Sequence, residues 1–168
     1  MSISDLMEAQ MRLAVAAVLT AMLYAPPTDA RRARTVESIT YTVPGGGLFP
    51  TAGYAVTVSS DGTGLFTGRV KTVVKGERRF AITKSTFAAF KALLAPYRPA
   101  GDLHFDGEPL CKEMATDQGS VDVAWSGGGR PGHLFIYYGC DMEKNRAMFD
   151  AVAGAPKLLP IKRFISRR

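Results

Sequence analysis

The chain has 168 residues, a formal net charge of +6, two cysteines and two histidines. This length fits one domain with an appended segment, and a hydrophobic content of 46% is enough to form a core, which excludes a chain disordered throughout. Two cysteines exclude a cysteine-rich scaffold and a four-cysteine zinc site, and two histidines exclude a histidine-rich metal centre.

The first thirty residues differ in composition from the rest. Of the 21 basic and 15 acidic residues, residues 1–30 contain one and three, so the remainder carries a formal charge of +8. Residues 13–25 form an apolar run that, at ~1.5 Å per helical residue, is too short to cross a ~30 Å hydrocarbon core but suits a signal peptide. We predict that residues 1–30 are an export leader cleaved near Ala30, leaving no transmembrane span in a mature periplasmic or secreted chain.

The leader prediction has an alternative start and a rival. A chain beginning at Met11 would place Arg12 directly before the apolar run, whereas Asp5 and Glu8 precede the run in the full sequence. The basic residues of 31–34 oppose export, because positive charge at this point resists translocation. The rival interpretation is a buried amphipathic helix in a cytosolic protein.

The two cysteines, Cys111 and Cys140, lie 29 positions apart in the sequence. In an oxidising compartment, two cysteines in one chain predict a disulfide between them. Closing a loop of that size would contribute about 3–4 kcal/mol to stability in the chain-entropy model. The alternatives are a functional thiol or half of a metal site, and no C-x-x-C motif favours either.

Four strands are predicted at the start of the domain. Residues 31–37 have the composition of a basic linker, and the single domain is predicted over residues 38–168. Alternating apolar residues predict strands over 39–43 and 54–59, and further strands over 65–74 and 78–82. Asp61-Gly62 predicts a tight hairpin turn between the second and third strands.

Helical and extended patterns alternate in the second half. Apolar residues at helical spacing over 87–97 predict a helix, which Thr83 or Ser85 caps, and residues 98–118 follow as a long polar connection. Strands are then predicted at 121–125 and 133–138. Asp141 caps a last helix over 142–153, and the tail from 161 to 168 adds a short edge strand.

The order ββββ-α-ββ-α predicts an α+β fold, in which an antiparallel sheet carries two helices on one face. Clustered strands with few helices favour this class. A crossover role for the helix between the fourth and fifth strands stays open as an alternative.

The stretch from Tyr54 to Tyr97 resembles an uncharacterised bacterial family of exported domains, which shows C-F-G-x-C-P-x-Y followed by D-G-x-x-x-x-x-G. The matching positions here are Tyr54, Asp61, Gly62, Phe66 and Gly68, with Asp117 before a later strand. The resemblance covers most of residues 38–155 and implies no activity, because the family has no known function.

The chain departs from that family at the cysteine motif. The two family cysteines align with Gly47 and Thr51, and the family proline aligns with Ala52. A disulfide or redox role that depends on this cysteine pair is therefore excluded here.

The densest group of polar residues is the segment of residues 101–112, which contains Asp102, His104, Asp106 and Glu108. These side chains could bind a divalent cation or transfer a proton, but their spacing matches no calcium loop. A solvated loop is the alternative, and it is the one we favour. His133 is predicted to be a surface residue at a strand start. No residue is assigned a catalytic or metal-binding role, and no cofactor is expected.

Basic residues concentrate around one predicted hairpin. Arg69, Lys71, Arg78 and Arg79 would form a basic patch if Arg69 and Lys71 shared a sheet face. Such a patch could bind nucleic acid, an anionic membrane surface or an acidic polysaccharide. A solvated sheet face is favoured, because no nucleic-acid motif accompanies the patch and an exported protein seldom meets nucleic acid.

Three functions follow from these observations. The first is an exported, non-catalytic binding or envelope-associated domain, whose partner is an envelope protein or an anionic surface. The second is a hydrolase or metal-dependent enzyme that uses Asp102, His104 and Asp106. The third is a polyanion-binding protein that uses the bases from Arg69 to Arg79. We favour the first, because no catalytic constellation is recognisable.

Overall fold

The structure, a computed structural model, describes residues 35–46 and 51–167. One seven-stranded sheet has the order β4-β3-β2-β1-β6-β7-β5. Its strands are β1 (Ser38–Val43), β2 (Tyr54–Ser59), β3 (Thr63–Gly68), β4 (Gly76–Ala81), β5 (Asp102–Phe105), β6 (Ser120–Ser126) and β7 (Gly132–Tyr137). All neighbouring strands are antiparallel except β5, which pairs in parallel with β7.

Within the described residues, three helices accompany the sheet: α1 (Lys84–Leu94), α2 (Met142–Gly154) and the one-turn α3 (Lys162–Ile165). Short 3-10 segments follow α1 at Ala95–Tyr97 and α2 at Ala155–Leu158. The predicted α+β class is confirmed, although the order of elements and the number of helices differ from the prediction. Among the described residues, each helix is too short or too polar to cross a bilayer.

Alternation along the strands sends one set of side chains into a single core. Buried strand residues point to the same face, and they are Ile39, Tyr41, Val56, Val58, Phe66, Val121, Val123, Trp125, Leu134 and Ile136. Helices α1 and α2 add Phe87, Phe90, Leu94, Phe149 and Val152 to that core. The helices therefore cover this face, here called the core face, and the opposite face is called the open face.

The two long helices begin differently. The Thr83 side chain accepts a hydrogen bond of 3.0 Å from the Thr86 backbone N–H, so the predicted cap of α1 is confirmed. Asp141 precedes α2, but its carboxylate makes no capping hydrogen bond to that helix. Instead it accepts the backbone N–H groups of Lys112 and Glu113, at 3.1 and 2.7 Å. Asp141 thus fastens the preceding loop to the start of α2.

The predicted polar connection over 98–118 contains a strand that the sequence analysis missed. Asp102–Phe105 forms β5 at the sheet edge, with Leu103 beside Leu134 and Phe105 beside Ile136. Four residues give only two alternations, which is too short a pattern to separate from a loop. Its parallel partner β7 lies about thirty residues later, and no local turn indicates that pairing.

Two other predicted strands are shorter or absent. The strand predicted over 65–74 ends at Gly68, where the chain folds back so closely that a Cβ would collide with the Val74 carbonyl oxygen. The predicted edge strand in the tail is the helix α3 instead. Its Phe164 ring packs 5.4 Å from Phe66 and 6.1 Å from Phe80, measured between ring centroids, so apolar burial favours the helical turn.

The neighbouring residues Phe66 and Leu65 provide a test of the two faces. Phe66 is fully buried on the core face, whereas Leu65 is half-buried on the open face. We expect Phe66→Ala to lower the free energy of unfolding by about 3–5 kcal/mol and Leu65→Ala by about 1 kcal/mol. Urea unfolding of both variants measures the difference. Equal losses would contradict the assignment, since they would mean that the open face is covered in solution.

Candidate functional site

The open face carries small polar side chains at its centre and an imidazole–carboxylate group at one edge. Thr40 and Thr57 lie side by side on the central strands, with their hydroxyl oxygens 2.9 Å apart. At the β5 edge lie Asp102, His104, Asp106, Asp122, His133 and Phe135, here called the open-face cluster. The buried residues of the described helices belong to the core on the other side, so this cluster remains accessible.

His133 is held between two carboxylates by the strand order. Strand β7 lies between β5 and β6. On β5, Asp102 lies directly opposite His133, and on β6, Asp122 lies diagonally across from His133. The His133 Nδ1 lies 3.0 Å from Asp102 Oδ1, and its Nε2 lies 2.5 Å from Asp122 Oδ2. The hydrogen bond to Asp122 and the charges of both carboxylates raise the pKa of His133, although partial burial opposes this.

This arrangement limits the chemistry that His133 can perform. As an imidazolium it donates a hydrogen bond from each nitrogen, so it has no lone pair with which to accept a proton or bind a metal. In the part of the chain that the structure describes, no group of three or more histidine, cysteine or acidic residues is arranged to hold a metal ion. When His133 is protonated, it therefore forms a charge-paired network with Asp102 and Asp122.

His104 lies beside His133 on the neighbouring strand. Its ring is 30° from parallel to Phe135, with centroids 5.6 Å apart, and it meets His133 edge-on at 5.5 Å. Its Nδ1 is 3.9 Å from Asp106 Oδ2, which is too long for a hydrogen bond. About half of the His104 side chain is exposed. The rings of His104 and Phe135 together form a small aromatic surface that reaches solvent.

The structure brings together three of the four residues predicted in the polar segment. Asp102 and His104 lie on β5, and Asp106 follows directly after it. Glu108 is exposed further along the chain and makes no ion pair with a described residue. These residues start on a strand instead of forming the solvated loop that the sequence analysis favoured.

Sequence reasoning missed the partnership of His133 with Asp122. Asp122 interrupts an apolar run on β6, and the alternation of that run already places its side chain on the face away from the core. Only the knowledge that β7 lies between β5 and β6 joins these residues. A carboxylate on the polar side of a strand was the one signal available.

The predicted basic residues do not share one face. Arg79 lies opposite Leu65 on the open face, whereas Arg78 lies opposite Phe66 and so projects to the other side. Arg69 and Lys71 follow the end of β3, outside any strand, so the period-two argument does not apply to them. Arg69 and Lys71 lie in the connection between β3 and β4, so the sheet places only Arg78 and Arg79, and on opposite faces.

Cys111 and Cys140 are buried free thiols and do not lie at disulfide distance. The predicted disulfide is therefore wrong for this structure. Each thiol donates to a backbone carbonyl instead, Cys111 to Glu113 at 3.4 Å and Cys140 to Leu110 at 3.9 Å. Burial raises the pKa of Cys140 to about 12, which keeps this thiol protonated.

Comparison with known proteins adds no family. No protein-family model matches the chain, and a search of the curated proteins finds no similar sequence. The function of this protein is therefore inferred from the side chains described above.

The raised pKa of His133 predicts a pH dependence with a definite sign. A group whose pKa is higher in the folded state contributes stability that is complete below its unfolded pKa of about 6.5. That contribution is lost as the pH rises through the folded value. NMR titration should give a His133 pKa above the ordinary value, and Asp122→Asn should lower it.

Glu77→Gln is the matched control, because Glu77 lies on the open face at the opposite edge of the sheet. It should leave the His133 titration unchanged. A normal His133 pKa in the unmodified protein would contradict the clamp of two carboxylates.

Proposed function

We propose that this protein is an exported, non-catalytic binding domain that contacts an envelope protein through the open-face cluster. The observation that carries the proposal is the engagement of both His133 nitrogens by carboxylates, at 3.0 and 2.5 Å. This arrangement builds a fixed, charged surface at the sheet edge.

The absence of catalysis in this proposal follows from the state of His133. A general base needs a free lone pair and a pKa near the working pH. Both nitrogens of His133 are engaged by the carboxylates of Asp102 and Asp122. To act as a base it would have to lose a proton that two neighbouring carboxylates stabilise.

The partner chemistry that suits the cluster is a basic protein segment. Asp102 and Asp122 flank His133, and Asp106 lies beside His104, so the carboxylates of the cluster favour a cation. Asp102 is 77% exposed and Asp106 is 48% exposed, so both carboxylates can reach a partner. The faces of Phe135 and His104 lie beside them and offer a place for an ammonium or guanidinium group.

The proposed export rests on the sequence of residues 1–30, which lie outside the described residues. Residues 13–25 supply the apolar run, and Thr28-Asp29-Ala30 supplies the cleavage site. Periplasmic or secreted localisation would place the binding face among envelope proteins. The resemblance to a family of exported domains, which is based on Tyr54 and the Asp61-Gly62 turn, supports the same proposal.

A lysine tetramer and its fully N-acetylated form are matched probes for the binding proposal. We expect the charged peptide to shift the NMR signals of His104, Phe135 and Asp102 at physiological salt, and the neutral peptide to shift none. Asp102→Asn should weaken binding roughly two- to fivefold, as expected for an exposed ion pair. Glu77→Gln should leave the affinity unchanged.

Two results would contradict this binding mode. One is a response that is equal for the charged and neutral peptides. The other is the absence of lysine binding together with shifts at Arg78 and Arg79 in the presence of anionic lipid vesicles, which would favour the polyanion hypothesis. Vesicles of neutral lipid are the control for that arm.

Export has a separate test, because it concerns residues outside the described part. Expression of the full chain in a bacterial host should yield an extracytoplasmic protein whose first residue lies near Arg31. Intact mass and N-terminal sequencing of the fractionated protein measure this. An uncleaved chain recovered from the cytosol would contradict the export proposal and leave the binding proposal intact.

A further inference from the structure

A cavity of about 560 Å³ lies at the end of the sheet where β1 finishes and β2 begins. Its wall includes Tyr41 from β1, Tyr54 from β2, Tyr138 after β7, Ala153 from α2 and Ile165 from α3. It lies on the side of the helices and shares no residue with the open-face cluster. Its volume falls within the range of about 300–1,000 Å³ that small-molecule sites occupy.

The three tyrosines give the cavity its polar character. Burial is the largest influence on the pKa of all three hydroxyls. It raises the pKa of Tyr41 and of Tyr138, and it raises the pKa of Tyr54 to about 12. Their mutual electrostatic effect raises the pKa of Tyr41 further. All three hydroxyls are therefore protonated and uncharged at neutral pH. Each can offer a proton to a hydrogen-bond acceptor.

The Tyr138 hydroxyl is the decisive feature. It is shielded from solvent and makes no hydrogen bond of ordinary geometry to a described residue, although the Tyr41 hydroxyl lies close enough to lower the pKa of Tyr138 against the larger effect of burial. The ring is fixed in place, because it packs edge-on against Phe149 with centroids 5.2 Å apart. A buried polar group without a partner costs free energy, so such a group in a folded protein calls for an explanation. A ligand that accepts this hydrogen bond would supply one.

The lining decides which acceptor fits. Apolar groups of Val43, Pro44, Ala52 and Ile165 form much of the wall. The same burial that keeps the tyrosines neutral would penalise a carboxylate, because an anion loses its hydration there. The described residues that line this cavity include no basic side chain, and Arg146, Lys157 and Lys162 line other grooves. A neutral carbonyl oxygen satisfies the hydroxyl without that penalty.

We propose that this cavity is a binding site for a neutral, largely apolar molecule whose carbonyl oxygen accepts a hydrogen bond from Tyr138. Tyr41 and Tyr54 supply further hydroxyls beside it. The apolar body of the ligand packs between the end of the sheet and α2. This site is independent of the proposed docking of a basic segment on the open face, so either proposal can fail without the other.

Three probes of one shape test the proposal: methyl 2-naphthyl ketone, 2-naphthoate and 2-ethylnaphthalene. They differ in the group that would meet Tyr138, which is a carbonyl, a carboxylate or a hydrocarbon. Equilibrium dialysis measures affinity, and NMR signals of the tyrosine rings locate the probe. We expect the ketone to bind with shifts at Tyr41, Tyr54 and Tyr138, and the carboxylate to bind at least tenfold more weakly.

Tyr138→Phe removes the hydroxyl and keeps the ring. It should weaken ketone binding roughly three- to tenfold, the effect of one hydrogen bond, and leave the affinity for 2-ethylnaphthalene unchanged. Tyr97→Phe is the matched control, because the Tyr97 hydroxyl donates to the Ala147 carbonyl and lies outside the cavity wall. It should alter neither affinity.

A stability measurement on the ligand-free protein separates the site from a structural role. Since the Tyr138 hydroxyl makes no hydrogen bond of ordinary geometry to a described residue, Tyr138→Phe should leave the melting temperature unchanged or raise it, whereas Tyr97→Phe should lower it. The proposal is overturned if Tyr138→Phe destabilises the free protein as much as Tyr97→Phe does. It is also overturned if 2-naphthoate binds more tightly than the ketone, or if Tyr138→Phe leaves the affinity for the ketone unchanged.

Discussion

The pairing of β1 with both β2 and β6 is the constraint on which the rest of the fold depends. β1 lies at the centre of the sheet, and its Ile39 and Tyr41 face the core between Val56, Val58 and the buried residues of β6. Because side chains alternate, this register assigns every other residue of the neighbouring strands to the open face. Just before β1, Glu37 binds Lys91 at 2.7 Å and ties the strand to α1.

Both candidate surfaces are consequences of that single register. The same strands that bury Val121 and Leu134 against the helices turn Asp122 and His133 outward. The core side then ends at Tyr41 and Tyr54, where the helices leave a cavity instead of closing it. One sheet thus provides a charged face and an apolar site that are separated by a packed layer. The proposed docking face and the proposed ligand site therefore lie on opposite sides of the sheet and share no residue.

The sequence predicted those parts of the fold that depend on local pattern. Alternation in β1 and β2, the Asp61-Gly62 turn and the Thr83 cap all lie within a few residues, so each could be recognised. The clamp on His133 could not, because it joins Asp102, Asp122 and His133 through a parallel pairing across some thirty residues. The expected disulfide is not formed in the structure: Cys111 and Cys140 are free thiols, although Cys111 lies close enough to raise the pKa of Cys140, and spacing along the chain does not determine whether two thiols bond.

The exposed edge strand β4 has a consequence for how copies of this protein behave in concentrated solution. A free strand edge can pair with the edge of another molecule and begin a continuous, intermolecular sheet. On β4 that edge carries Glu77, Arg78 and Arg79, all exposed, and these charged side chains would lose hydration in such a pairing. These charged side chains therefore disfavour the formation of an intermolecular sheet, and this effect requires no ligand.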